Sequence, residues 1–275
     1  MWSRDFFLQQ IQPPLIGMIH LPPLPGAPAY GGDLKPIIAA ATADLAALAD
    51  GGIRAAIVEN FHDAPFWPEV VPPETVAAMA VVLAELRRQR PGLALGVNVL
   101  RNDPDAALAV AAAVDAAFIR VNVHTGAMLT DQGPLAGRAH RTLRRRRELG
   151  LAQVGIFADL RVKHAAPLAE RDLAAEAADL RRRGLADALI ISGPATGAAA
   201  ALADLQTVRA ALPDCPLLLG SGITSENLAA YGGLADGYIV GTSLQVGGRI
   251  DRRRVETLLA ALDNRRQTAS RKDIV

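Results

Sequence analysis

Eight short apolar runs, spaced at regular intervals, restrict what this chain can fold into more than any other feature. They are 15–19, 55–58, 93–99, 117–123, 154–158, 188–191, 217–219 and 238–240. Each reads as a strand. Helical patterns separate them, near 34–50, 72–90, 103–114, 134–149, 168–183, 198–212, 224–231 and 251–264. Pro72-Pro73-Glu74 and Asp103-Pro104-Asp105 are start signals, and Gly51, Gly150 and Gly184 sit where helices should stop. Strict alternation of strand and helix implies a parallel sheet with helices outside. Eight units with no segment left over predict a single closed (β/α)8 barrel of the α/β class, rather than an open doubly wound sheet.

Length and composition agree. The chain has 275 residues, close to the roughly 250 such a barrel needs. No linker or composition shift divides it, so residues 1–264 read as one barrel domain and 265–275 as a polar C-terminal tail. The formal charge of +1 gives no general attraction to nucleic acid or membrane. A lone Cys215 precludes an internal disulfide and fits a reducing cytoplasm. Met1 to Asp5 lead into no long apolar stretch, so no signal peptide is expected. The Ala/Val-rich stretch broken by Asp103, Asp105 and Asp115 is too polar to span a bilayer. The arginine-rich segment Arg138, His140, Arg141 and Arg144 to Arg147 reads as a solvated helix face; the sharper reading is peripheral contact with a membrane or anionic partner. Self-association is a further expectation, which the sequence does not specify.

Function in a barrel gathers at the C-terminal ends of its strands. Those ends are polar here. Run by run they bring His20; Glu59 with Asn60, His62 and Asp63; Asn98 with Arg101; Arg120, Asn122 and His124; Asp159 followed by Lys163 and His164; and Ser192-Gly193 with Thr196-Gly197. In the fourth run, alternation puts Arg120, Asn122 and His124 on one face and Ile119, Val121 and Val123 on the other. The polar face should look into the barrel, where a charged residue needs a partner. Asp159 is the nearest candidate and Glu59 the second; a purely structural ion pair is the alternative.

The last runs end in glycine and hydroxyl turns, Gly220-Ser221-Gly222 and Gly241-Thr242-Ser243, with Gly193 at the sixth. Glycine lets a backbone approach an anion closely, and exposed N–H groups at turns attract negative charge. In barrels the turns after strands seven and eight often hold a phosphate. A phosphate site is therefore expected at Gly193, Gly220, Ser221, Gly222, Gly241, Thr242 and Ser243. Only three of the 29 basic residues are lysines, Lys35, Lys163 and Lys272. Lys163 therefore stands out as a titratable amine that could grip an anion or form a Schiff base. Its place about four residues past the strand end suits the former better. His20, His62, His124 and His164 with Asp159 or Glu59 are ligand types for a divalent metal, but no HxH or HExxH spacing is present. The sequence requires no cofactor.

Long stretches of the chain resemble one known family. They are IGMIHLPPLPGAPAYGG (16–32), IVENFHDAPF (57–66), LGVNVLRND (95–103), FIRVNVHTGAMLTDQG (118–133), FADLRVKHAAPL (157–168), ADALIISGPATG (186–197), LLGSGITSENL (218–228) and ADGYIVGTSL (235–244). They resemble the BtpA/SgcQ family over about residues 14–260. The resemblance implies a phosphate-binding TIM barrel. The family's name comes from a cyanobacterial protein implicated in photosystem I biogenesis and associated peripherally with thylakoids. This chain departs at His62, where the family commonly carries a small residue, and at Gln245, where lysine is common.

Two functions follow as expectations. The first is an enzyme acting on a small phosphorylated substrate, a sugar phosphate or nucleotide derivative. In it Asp159 or Glu59 would be the base, with His124 or His20 as acid partner. Lys163 and Arg120 would stabilise negative charge, and Asn98 and Asn122 would lie beside them. Isomerisation, carbon–carbon cleavage and glycosidic cleavage all stay open. The second is a non-catalytic assembly factor for photosystem I or another membrane complex, using its outer helices.

Overall fold

The structure is a computed structural model that describes residues 1–193 and 195–272. Eight parallel strands form its centre: β1 (Leu15–His20), β2 (Ala55–Glu59), β3 (Ala94–Asn98), β4 (Phe118–Val121), β5 (Gly155–Leu160), β6 (Ala188–Ile191), β7 (Leu217–Gly220) and β8 (Gly237–Val240). They close in the order β1-β8-β7-β6-β5-β4-β3-β2, so the sheet has no free edge. The helices are α1 (Arg4–Gln10), α2 (Lys35–Asp50), α3 (Pro73–Gln89), α4 (Pro104–Val114), α5 (Ala139–Glu148), α6 (Leu173–Ala178), α7 (Leu202–Ala211) and α8 (Arg252–Lys272). All eight expected strands are present, and the barrel is closed as the alternation requires.

Each barrel strand has two apolar faces for different reasons. Leu15, Ile19, Val58, Val97, Ile119, Leu189 and Leu219 pack outward against the helices in one large core. Ile16, Met18, Ile57, Phe118, Phe157, Ile190, Leu218 and Ile239 fill the barrel interior in a second. Strands buried on both faces read as nearly continuous apolar runs, which is why the sequence marks them so clearly. Gly96 makes the interior packing possible, because a Cβ there would stand 2.2 Å from the Phe118 ring. That ring stacks on Phe157 with centroids 4.4 Å apart. Cys215 is buried, and burial pushes its thiol up to about 11.

The sequence pattern gives no hint of α1. Ser3 caps it by accepting from the Phe6 N–H, and the helix drives Phe7 into the N-terminal mouth of the barrel. Trp2 packs edge-on to Phe157, with centroids 5.3 Å apart. Two buried aspartates hold this plug. Asp187 accepts from the Trp2 N–H (2.9 Å) and from Arg146 (2.7 Å). Asp236 accepts from Arg4 (2.8 Å) and Arg209 (2.6 Å). The bottom of the barrel is thereby closed, and a cavity inside the barrel must open at the other end.

Three expected helices change. The stretch 134–149 begins as a strand, Gly133–Ala136, paired antiparallel with Ala127–Thr130, and only Ala139–Glu148 is helical. Gly133 turns the chain at φ +97°, and Leu135 is buried against Val123, Met128 and Val162, so the hairpin wins over the helical pattern. Ala165–Pro167 joins it as a third strand, and this small sheet sits beyond the ends of β4 and β5. The stretch 224–231 supplies only a 3-10 turn, Leu228–Tyr231. There Asn227 bonds the Thr224 N–H (2.9 Å) and the Gly222 carbonyl (2.6 Å), competing with a regular helix. The stretch 168–183 becomes helical at Leu173 and ends as a π turn, Asp179–Arg183. Past Asn264 the last helix continues to Lys272, and residues 273–275 of the expected tail lie outside the described residues.

Candidate functional site

The inward positions change character along each strand. Going up the barrel, β1 presents Ile16, Met18 and His20; β2 presents Ala55, Ile57 and Glu59; β4 presents Phe118 and Arg120; β5 presents Phe157 and Asp159. Aromatic and aliphatic layers below thus give way to ionisable groups at the C-terminal end. On β7 and β8 the matching top position is glycine. A Cβ at Gly220 would meet Ile190 at 2.6 Å and Ser192 at 3.0 Å. One at Gly241 would meet Met18 and His20 at 3.2 and 3.3 Å. Neither position has room for a side chain, so bare backbone forms this wall, with a space between it and the charges opposite.

That space is a cavity of about 250 Å3, and both halves line it: His20, Glu59, Arg120 and Lys163 face the turns Gly220 to Thr224 and Gly241 to Ser243. Thr242 and Ser243 open a short 3-10 turn, so their N–H groups have no partner within it. Gly222 holds φ +65° with its Cα against the backbone of Ala198 and Ala199, where a Cβ would lie 2.4 Å from the nearest atom. Ser221, at φ +142°, ties the same loops together. Its hydroxyl donates to the Ala198 carbonyl (3.1 Å) and accepts from the Gly193 N–H (3.3 Å). Gly193 therefore buttresses the cavity from behind instead of lining it. Thr196 and Gly197 complete the rim.

The charged cluster is tightly wired. Arg120, 4% exposed, makes a two-pronged bond to Asp159, Nε to Oδ2 at 3.2 Å and Nη2 to Oδ1 at 3.0 Å. Burial works against its charge, but Asp159 and Glu59 outweigh it and raise its pKa. Asn122 also donates to Asp159 Oδ2 (2.7 Å). Both Asp159 oxygens thus accept close hydrogen bonds, which hold Arg120 in place. Glu59 differs: Asn98 donates to its Oε2 (2.6 Å), Arg120 Nη1 lies 3.9 Å away, and Oε1 has only His20 Nε2 at 4.0 Å. Gln245 Nε2 lies 3.4 Å from His20 Nδ1. Burial lowers the His20 pKa against the opposing pull of Glu59. Burial and the nearby Arg120 lower that of Lys163.

His124 is not brought into this cluster. β4 ends at Val121, and past that point alternation no longer governs direction. The His124 ring turns to the helical layer, where Nε2 bonds the Gly184 carbonyl (2.8 Å). Its pKa is lowered by burial, against the Gly184 bond that raises it. The unfolded chain thus binds the proton first, so this histidine removes stability as pH falls below about 6.5 and has no such effect above it. His124→Gln keeps an N–H donor for Gly184 and cannot titrate. Its urea midpoint is expected to fall less than the wild-type midpoint between about pH 7.5 and 5.5; parallel curves would contradict this. The other histidines also separate. His62 Nδ1 lies 2.8 Å from the Leu21 carbonyl, and His164 Nε2 lies 3.1 Å from the Thr196 hydroxyl. Among the described residues, no three His, Cys, Asp or Glu side chains converge as a metal set.

A second cavity of about 550 Å3 adjoins the first and shares Glu59, Arg120, Lys163 and Thr196 with it. Phe61, Phe66, Leu100, Arg101 and Asp131 form most of its remaining wall. Of these the sequence pattern singles out only Arg101. The two phenylalanines lie in an irregular loop and Asp131 at the tip of the hairpin, where no period exists to read.

Known proteins share both sequence and fold with this chain. The model of the BtpA family matches residues 11–264. The photosystem I biogenesis protein BtpA of a Synechocystis strain is 45% identical over 88% of this chain and 84% of its own length. A protein of Thermococcus kodakarensis without assigned function is 44% identical over 86% of this chain and 89% of its own. Among solved structures, phosphoribosyl anthranilate isomerase from Thermus thermophilus superposes with a TM-score of 0.55 over 91% of this chain and 98% of its own, at 12% identity, a likeness of fold alone. By the length of the family match and the identity to its named member, the chain belongs to the BtpA family.

Proposed function

We propose that the protein is an enzyme that binds a small phosphorylated molecule at the C-terminal face of the barrel and acts on it by acid–base chemistry. One observation supports this above the rest: the glycine turns after β7 and β8 and the Glu59–Arg120–Lys163 cluster face each other across a single cavity. Phosphate oxygens fit the turn N–H groups near Gly222 and Thr242, where no side chain blocks approach. Lys163 supplies positive charge from the opposite wall. Glu59, with one carboxylate oxygen turned to the cavity, takes up or returns a proton. His20, whose pKa burial lowers, stands 4.0 Å from Glu59 Oε1 as the partner acid. Arg120, locked by Asp159, and Lys163 stabilise negative charge that develops on the substrate. The fold relative named for a phosphoribosyl substrate is consistent with this class.

The alternative, an assembly factor, rests on the name of the cyanobacterial relative. Its natural surface would be α5, but Arg138, Arg141, Arg145 and Arg146 pair with Glu69, Asp105, Glu148 and Asp187 within the chain. Among the described residues no helix is long and apolar enough to cross a membrane. Concentration of buried polar groups at one end of the barrel also favours the enzyme, since such groups cost stability without a use.

Thermal melting with ribose 5-phosphate and inorganic phosphate tests the proposal. Saturation at a hundredfold excess over Kd adds about 2.7 kcal/mol, or roughly 5–10 °C for a chain of this size. Thr242 is exposed and its hydroxyl bonds to no described residue, so Thr242→Glu should fold normally and abolish the shift by charge repulsion. No shift from any phosphorylated compound, or an equal shift in the variant, would overturn the phosphate site.

A further inference from the structure

The second cavity is the part of the molecule that the phosphate reading leaves unused. It is larger than the first, about 550 against 250 Å3, and lies across the charged cluster from the glycine turns. A ligand anchored by its phosphate in the smaller cavity passes Glu59, Arg120 and Lys163 before reaching the larger one. The bond next to those groups would therefore join two dissimilar halves of the ligand.

The walls describe the second half. Phe61 and Phe66 provide aromatic surface, and Leu100 adds aliphatic surface. Phe61 is already stacked on His20, with centroids 4.3 Å apart. Flat apolar walls favour a flat partner, because aromatic faces gain both buried area and stacking. Arg101 supplies an independent sign. Only 6% exposed, it has one side-chain hydrogen bond among the described residues, from Nη2 to the Lys163 carbonyl at 2.8 Å. No carboxylate pairs with it directly among the described residues. Burial weighs against its charge and pushes its pKa down, with Asp159 and Asp131 pulling the other way. A nearly buried guanidinium with unused donors facing a cavity calls for an oxygen acceptor. Asp131, at the hairpin tip, adds an acceptor on the same cavity wall. Aromatic walls with a donor and an acceptor at the edge match a heterocyclic ring, whereas a bare sugar phosphate would leave them unmatched.

We infer that the second cavity holds a planar ring bearing an oxygen acceptor for Arg101, so the substrate class is a phosphorylated sugar joined to a heterocycle, a nucleotide-like molecule. This rests on the phosphate site proposed above. The junction of sugar and ring then lies beside Glu59 and Lys163.

Isothermal titration with ribose 5-phosphate and with uridine 5′-monophosphate tests the inference, the nucleotide adding a ring with carbonyl oxygens to the same phosphorylated sugar. The nucleotide is expected to bind at least about tenfold more tightly, from ring stacking and one charged hydrogen bond. Phe66→Ala and Arg101→Met, each checked for folding by its melting temperature, should each remove most of that factor while changing ribose 5-phosphate affinity less than about twofold. Phe66 is partly exposed in a loop, so its truncation provides a folded variant should Arg101→Met not fold. Equal affinity for the two ligands would overturn the inference and leave the phosphate site standing. Tighter nucleotide binding indifferent to both substitutions would place the ring elsewhere and overturn it too. Binding of neither ligand would overturn the phosphate site and this inference together.

Discussion

Asp159→Ala is expected to lower the free energy of unfolding by about 3–5 kcal/mol, read as a lower urea midpoint at unchanged slope. Arg120 is nearly inaccessible and donates its two close hydrogen bonds to Asp159. Without that carboxylate the guanidinium keeps only Glu59 at 3.9 Å, and Asn122 loses its acceptor as well. The penalty is that of an uncompensated buried charge, larger than the net worth of the pair itself. The double substitution Arg120→Met with Asp159→Leu should therefore recover much of the loss, since apolar groups of similar volume need no partner. A loss below about 1 kcal/mol in the single variant would mean that water reaches Arg120 and that the pair is not sealed.

Glu59→Gln is expected to lower kcat by about 10²–10⁴-fold on whichever phosphorylated ligand the binding measurements identify, equivalent to about 2.7–5.5 kcal/mol. Gln keeps an acceptor for Asn98, whose Nδ2 lies 2.6 Å from Oε2, so the fold should persist and ligand affinity should change little. What is lost is a carboxylate able to hold a proton beside both cavities. Asp159→Asn is the comparison, because both Asp159 oxygens are already engaged by Arg120 and Asn122. If Asp159→Asn proved the more damaging to kcat at unchanged ligand affinity, the base would be Asp159 and the assignment to Glu59 would fall.

These expectations show how much of the site is readable from residue order. Arg120 pointing into the barrel follows from alternation, and Asp159 is the first of the two partners the sequence offers; the structure chooses it over Glu59. Gly220 and Gly241 are equally legible as strand-terminal glycines. His124 fails by the same rule, for alternation holds only while the chain stays in the sheet, and β4 ends at Val121. Asp159 and Glu59 look alike in sequence. Only the count of donors on each carboxylate separates the holder of Arg120 from the group open to the cavity.

Residue order alone specifies the barrel, the end of it that is polar, and the side that is glycine. Those are properties of period and residue type along single strands, and burial on both faces makes them strong. The seal that α1 forms over the opposite mouth with Trp2 and Phe7, anchored by Asp187 and Asp236, emerges only on folding. Folding alone brings Phe61, Phe66, Arg101 and Asp131 to one cavity from two separate loops and a hairpin. Such contacts depend on where loops return in space, and no local period encodes the return.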